Sequence, residues 1–241
     1  MTEQSATNET PYAHARDRKV LPRRQRRSSE TRARIVSAAR EVFAESGLGA
    51  PSIDDITERA DVGKGTFYYY FDSKEDLIQA MMGEVIAGLV QALVEKCEGI
   101  TDLTMLLDRA ISVHIEFFSE RWEDFVLYYQ GRADLTLVES YPGLEASFIG
   151  YLQCIERLVA PALNHPVPKA VLRQMACAVG GFVSGYYSFA AIAAQDNDVD
   201  EAFRELRGAM ARSLARFVGE ASSPAQVGAK TKKTARPSHR R

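Results

Sequence analysis

Cysteine, histidine and tryptophan are scarce in this sequence, with three, four and one in 241 residues. Cys97, Cys154 and Cys177 stand apart with no C-x-x-C pair, and His14, His114, His165 and His239 lie far from them and from one another. That spacing argues against a structural zinc site, and so few cysteines exclude a disulfide scaffold. An odd thiol count and an N-terminal stretch without a signal-peptide apolar core make a cytoplasmic location the expectation. The chain also lacks a Gly-rich phosphate loop, a nucleophile elbow, a metal-ligand pair and a Cys–His pairing by motif, so neither an enzymatic activity nor a cofactor is expected. No run alternates apolar and polar residues with period two, whereas the helical period recurs almost throughout, and the folded part reads as all-α.

One stretch has no charge at all, the 22 residues from Gln174 to Gln195. It is long enough to span a bilayer. It nevertheless contains Gly180, Gly181, Gly185, Ser184, Ser188 and no leucine, and no basic cluster flanks it, so a membrane span is not expected. Gly181-x-x-x-Gly185 lets a second helix backbone approach closely, which points to burial by protein, including a second subunit.

The net charge of -2 conceals a segregation along the chain. Residues 1–28 carry 7 basic and 3 acidic side chains, 29–78 carry 6 and 10, 79–218 carry 11 and 18, and 219–241 carry 6 and 1. Both ends are poor in apolar residues and read as flexible basic arms, 1–28 and 219–241. Between them the pattern divides into a small unit, 29–74, and a larger one, 75–218.

In the small unit, Ile35, Ala38, Ala39, Val42 and Phe43 line one face of a helix starting near Ser28 or Ser29 and stopping at Gly47. Ser52, with Asp55 three residues on, is a variant capping box for a short helix that buries Ile53, Ile56 and Ala60. A third helix is expected over Lys64–Tyr70, and Ser73 caps a fourth that runs through Leu77, Met81, Val85, Leu89 and Leu93. Two short helices joined by a tight turn, the second rich in aromatics and small polar residues, form a helix-turn-helix. A helix of about eight residues does not persist alone, so it must be clamped by packing. Phe67 and Phe71, four apart, are the inward clamp against Ile35, Phe43 and Ile56, which leaves Lys64, Thr66, Tyr68 and Tyr70 on or near the opposite side. Gly63 and Gly65 allow close approach to a surface at the amino end.

Ala38-Ala39, Phe43-Ala44-Glu45-Ser46-Gly47, Ser52, Ile56, Ala60, Val62, Lys64-Gly65-Thr66, Tyr68, Tyr70-Phe71, Ser73-Lys74-Glu75 and Leu77 together resemble the tetracycline-repressor (TetR) family of bacterial regulators. The resemblance implies an N-terminal three-helix DNA-binding unit followed by a helical bundle for ligand binding and dimerisation. It puts Ser52, Lys64, Gly65, Thr66, Tyr68, Tyr69, Tyr70 and Lys74 at or beside positions that meet double-stranded DNA. Tyr70 stands where the family commonly has histidine and Gly63 where it has serine, which implies an altered contact at each. Asp61 stands at a turn position usually held by glycine, and aspartate tolerates positive φ there. Tyr68, Lys74 and the helix ends are assigned to phosphate, while Lys64, Gly65, Thr66 and Tyr69 are candidates for reading base edges; Tyr69 is equally compatible with core packing. Because the small unit is itself acidic, Arg23, Arg24, Arg26 and Arg27 are expected to add attraction to the duplex backbone or a minor groove.

In the larger unit, helices are expected over 102–120, 123–132, 143–163, 168–195 and 198–218. His114, Phe118, Trp122, Tyr128, Tyr129, Arg132, Phe148 and Tyr151 combine apolar rings with a few polar anchors. That is the make-up of a small-molecule pocket as well as of a plain core. The resemblance favours a pocket for an apolar or aromatic effector, a homodimer through 168–195 and 198–218, and a ligand-released repressor on a palindromic site. An architectural DNA-binding protein without a switch is the alternative.

Overall fold

The structure is a computed structural model that describes residues 23–119, 121–134, 144–193 and 199–221, leaving aside the side chains of 132–134, 144, 187–193 and 199–205. Most of both terminal arms, and residues 135–143 and 194–198 around the starts of the helices expected from 143 and 198, lie outside the described residues. The described residues form helices and no strand, as the missing period-two pattern requires.

The first helix, α1 (Arg23–Ser46), buries Ile35, Val36, Ala38, Ala39, Val42 and Phe43 on one face. It begins about a turn and a half earlier than the sequence suggested, so Arg23, Arg24, Arg26 and Arg27 ride on a helix rather than in a flexible arm. The physical reason is local: Arg and Gln are good helix formers, Pro22 precedes the first turn, and Arg26 pairs with Glu30 at 3.4 Å one turn on. Gly47 ends α1 at a φ of 77°, a conformation that favours glycine, and its N–H donates to the Phe43 carbonyl at 2.8 Å.

Ser52 caps α2 (Ile53–Arg59) in the full reciprocal arrangement: the Asp55 N–H donates to Ser52 Oγ, and the Ser52 N–H donates to Asp55 Oδ2 at 2.7 Å. Asp61 follows with a φ of 50°. Arg34 of α1 donates to the Ala60 and Asp61 carbonyls at 2.6 and 2.8 Å, which satisfies the open end of α2. Beyond this turn lies α3 (Lys64–Tyr70).

Ser73 caps α4 (Lys74–Cys97), which packs against the later helices α5 (Leu103–Ser119), α6 (Trp122–Asp134) and α7 (Leu144–Val159). α4 is long and apolar enough to cross a bilayer, but Leu77, Met81, Leu89 and Leu93 on it are completely buried by protein. The helix expected over 143–163 stops at Val159 and passes into a 3-10 turn, Ala160–Ala162. Pro161 explains the change, since it lacks an N–H and disfavours helical backbone in the residue before it. α8 (Lys169–Ala193) lies against α7 and α5, and α9 (Val199–Ala221) against α5 and α8. One apolar cluster runs unbroken from Ile35 in α1 to Val218 in α9, so the small unit and the larger bundle share a core.

Candidate functional site

α3 is the shortest route from sequence to a recognition surface. Phe67 is 0% and Phe71 3% exposed, and their rings lie 5.7 Å apart. Arg32 of α1 stacks its guanidinium over Phe71 at 5.2 Å. With one side of the seven-residue rod fixed, Tyr68 is 53% and Tyr69 74% exposed, the latter the most exposed large ring described. Core packing is therefore not the job of Tyr69. Lys64 and Gly65 are exposed and Thr66 half-buried on the same rod. Lys64 pairs with Asp54 of α2 at 2.7 Å, a contact open to solvent on both sides and weak enough to exchange for a phosphate.

Two expected contacts are occupied otherwise. Tyr70 is half-buried against the core, and its hydroxyl donates to Ser28 Oγ at 3.1 Å, tying α3 to the basic end of α1. Lys74 points its ammonium into the loop between α1 and α2, where it donates to the carbonyls of Leu48, Gly49 and Pro51 at 3.2, 2.9 and 2.9 Å. An ammonium has three N–H donors, so all are engaged and none remains for a phosphate. The family resemblance puts Lys74 at or beside a DNA-contacting position. Only the folded loop reveals the three carbonyls converging on it.

The same loop is held from the opposite side. The Leu48 N–H donates to Gln130 Oε1 of α6 at 2.8 Å. Nearby, Arg40 Nε stands 2.7 Å from Asp124 Oδ1, an ion pair between α1 and α6 that is Coulombic rather than a well-aligned hydrogen bond. None of these long-range partners has a spacing that a sequence could announce. On the outer face, Arg59 grips Glu45 with both terminal nitrogens, at 3.1 and 3.0 Å, and reaches Glu41 at 3.3 Å. These hydrogen bonds and the guanidinium charge hold the Glu45 carboxyl below its usual range and raise Arg59. Ser52, hydrogen-bonded through both hydroxyl and backbone, likewise lowers Asp55. Glu45 and Asp55 thus stay ionised.

In the larger bundle, five of the eight rings and polar groups singled out from sequence converge. His114 of α5, Phe118 of α5, Tyr128 of α6, and Phe148 and Tyr151 of α7 are all buried. Tyr128 lies 5.3 Å from Phe118, 5.5 Å from Phe148 and 6.3 Å from Tyr151 between ring centres. Trp122 and Tyr129 sit on the outside instead, 48% and 39% exposed, and rest against Phe125. The Arg132 side chain lies outside the described residues. His114 Nδ1 is 2.6 Å from the Ala110 carbonyl and Nε2 is 2.7 Å from the Tyr151 hydroxyl. A carbonyl only accepts, so Nδ1 carries the proton and Nε2 accepts from Tyr151. Burial pushes the His114 pKa down to about 4, against a smaller upward pull from the Ala110 hydrogen bond, so the imidazole is neutral near pH 7.

Residues 35–81, the helix-turn-helix and the start of α4, match the bacterial regulatory proteins of the tetR family. The HTH-type transcriptional regulator YvdT of Bacillus subtilis (strain 168) is 32% identical over 140 residues, covering 57% of this chain and 70% of YvdT. UidR of Escherichia coli (strain K12), another HTH-type transcriptional regulator, is 32% identical over 102 residues, 42% of this chain and 52% of UidR. Among solved structures, the transcriptional regulator FadR from Bacillus subtilis, in complex with stearoyl-CoA, has a similar fold with a TM-score of 0.56 and 20% identity, covering 77% of this chain and 97% of FadR. The recognition rod, its capped neighbours and these matches lead to one conclusion: the chain belongs to the tetR family of bacterial regulatory proteins and is a helix-turn-helix, DNA-binding transcriptional regulator.

Proposed function

We propose that the protein is a cytoplasmic, dimeric repressor that holds a near-palindromic operator until a small molecule enters the bundle formed by α4 to α8. The observation that carries the DNA half is the exposure of Tyr68 and Tyr69 on a rod whose other side is locked by Phe67 and Phe71. Lys64, Gly65, Thr66 and Tyr69 read base edges, Tyr68 and the Ser52 end of α2 meet phosphate, and Arg23, Arg24, Arg26 and Arg27 follow the backbone from the helical extension of α1. Tyr70 and Lys74 act one step back: Tyr70 fixes the rod against Ser28, and Lys74 fixes the loop that ends in Ser52.

The dimer face is the outer side of α8 and α9. Gly181 and Gly185 have open space where a Cβ would stand, and Leu206 and Phe217 of α9 expose apolar surface. Two copies joined there present two α3 rods to successive major grooves, about 34–36 Å apart or a multiple of it. Effector control is supported by the ring cluster in this bundle and by the acyl-CoA bound in the B. subtilis FadR structure. A shift of α6 or α4 reaches the DNA unit through Gln130, Asp124 and Lys74, all bonded to α1 or to the α1–α2 loop. The effector releases DNA only by binding the DNA-incompetent state more tightly, a coupling typically about 1 to 3 kcal/mol.

Fluorescence anisotropy on the duplex flanking the protein's own gene tests the reading. Binding should exceed that to random duplex by at least about a thousandfold. Equal binding to both would replace it with an architectural role.

A further inference from the structure

The small unit and the larger bundle meet at one residue of the α1–α2 loop. Gly47 closes α1 by donating its N–H to the Phe43 carbonyl, the single-bond form of a left-handed helix end. In the other common form the next N–H also turns back into its own helix. Here that N–H, on Leu48, leaves α1 and donates to Gln130 Oε1 of α6 at 2.8 Å, while Lys74 of α4 donates to the carbonyl of the same residue at 3.2 Å. Both backbone groups of Leu48 are thus held by side chains of α6 and α4, and its own side chain is buried.

The loop has little slack to absorb a movement at that point. Only residues 48–51 separate Gly47, at the end of α1, from Ser52, the cap of α2. Lys74 also holds the Gly49 and Pro51 carbonyls, and Pro51, whose ring fixes φ, stands directly before the cap. Burial of Phe43 and Ile56 keeps α2 against α1, but apolar attraction is non-directional and tolerates sliding. The hydrogen bond to Leu48 demands both distance and alignment, so it sets where the loop starts. α6 is itself held in place against α1, because Asp124 near its start pairs with Arg40 at 2.7 Å.

We infer that Gln130, although it belongs to the larger bundle, is a positioning residue for DNA recognition. Its acceptor on the Leu48 N–H fixes the α1–α2 loop and, through Ser52 and α2, the pose of the α3 rod. This rests on α3 being the surface that meets the duplex. Attraction to phosphate is independent of sequence and tolerates a displaced rod, whereas contacts to base edges need it in place. Loss of the acceptor therefore costs specific binding before non-specific binding.

The test uses the full chain and a duplex that the parent protein selects from a random-sequence pool, with an unrelated duplex as reference. Gln130→Met removes the acceptor at similar length, Gln130→Asn keeps the amide but is too short to reach Leu48, and Gln130→Glu retains an acceptor oxygen. Gln130→Met and Gln130→Asn should each bind the selected duplex about tenfold more weakly, the worth of one hydrogen bond, and the unrelated duplex as the parent does. Deuterium exchange at the Leu48 amide should speed up in both, and Gln130→Glu should restore affinity and protection together. Circular dichroism identifies a variant that fails to fold, in which case the other acceptor-deficient variant decides. Parent-like discrimination without the acceptor, an equal loss on both duplexes, tighter binding of the selected duplex, or no recovery in Gln130→Glu overturns the role. A parent that selects no duplex at all overturns the DNA reading and this role with it.

Discussion

Tyrosine does opposite work at the two ends of this molecule. On α3, Tyr68 and Tyr69 are turned out to water on a rod that phenylalanines hold from behind. In the second bundle, Tyr128 and Tyr151 are each 2% exposed, and the Tyr151 hydroxyl is engaged by His114. The difference lies in where the rigid support comes from. A seven-residue helix has one side for anchoring and so displays the other, whereas α5, α6 and α7 enclose Phe118, Tyr128, Phe148 and Tyr151 between them. The first region displays hydroxyls on a rod whose shape is already fixed, and the second keeps its polarity inside.

That contrast can be broken at graded strength. Phe67→Ala should cost most, about 3–5 kcal/mol by urea denaturation, because it empties a fully buried ring site under α3, and operator binding should vanish with it. A loss below about 1 kcal/mol would mean that the rod is not held as described. Next comes acid. His114 titrates at about 4 in the folded protein against 6.5 when free, so below pH 6.5 the unfolded chain takes up a proton that the fold refuses. Stability contributed by the neutral buried ring should fall by up to about 3 kcal/mol between pH 6.5 and 4, mostly above the range in which Asp55, Glu45 and Glu116 with their lowered pKa values begin to protonate. His114→Gln should flatten the slope between pH 6.5 and 5 in denaturation midpoints; an unchanged slope would place its origin elsewhere.

Smaller effects sharpen the division between contact and support within the DNA unit. Lys74→Met should lower stability by about 1–3 kcal/mol, since three carbonyls lose their donor, and weaken operator binding without changing its salt dependence. A salt slope reduced by about one unit would instead make Lys74 a phosphate contact. Smallest in stability is Tyr69→Ala, expected within about 0.5 kcal/mol of the parent, but with operator affinity down about tenfold. If stability fell and affinity did not, Tyr69 would belong to the core after all.

Much of the small unit is legible without coordinates because its determinants are local. The Ser52–Asp55 capping box, positive φ at Asp61, the α3 span Lys64–Tyr70 and the Phe67/Phe71 pair each involve residues within six of one another. The start of α1 is less legible, because apolar periodicity fades before Ser28 while arginine and glutamine carry the helix on without it. Lys74, Gln130 and Tyr70 were beyond reach for another reason. Their partners lie 23–26, 82 and 42 residues away, and a hydrogen bond of that kind has no period. In the bundle, the structure brings His114, Phe118, Tyr128, Phe148 and Tyr151 together, while Trp122 and Tyr129, on the same helix as Tyr128, face away, a difference that composition does not carry.

Ser28, the four arginines before it and Ile35 all lie on one unbroken helix, and this sets the phase of the positive charges relative to the rod. A residue inserted between Ser28 and Ile35 would swing the guanidinium groups by about 100° around the α1 axis and carry Ser28 away from Tyr70. The arginines therefore act as a fixed comb whose teeth are timed by the core, and lengthening that helix by a whole number of turns should disturb them far less than adding a single residue.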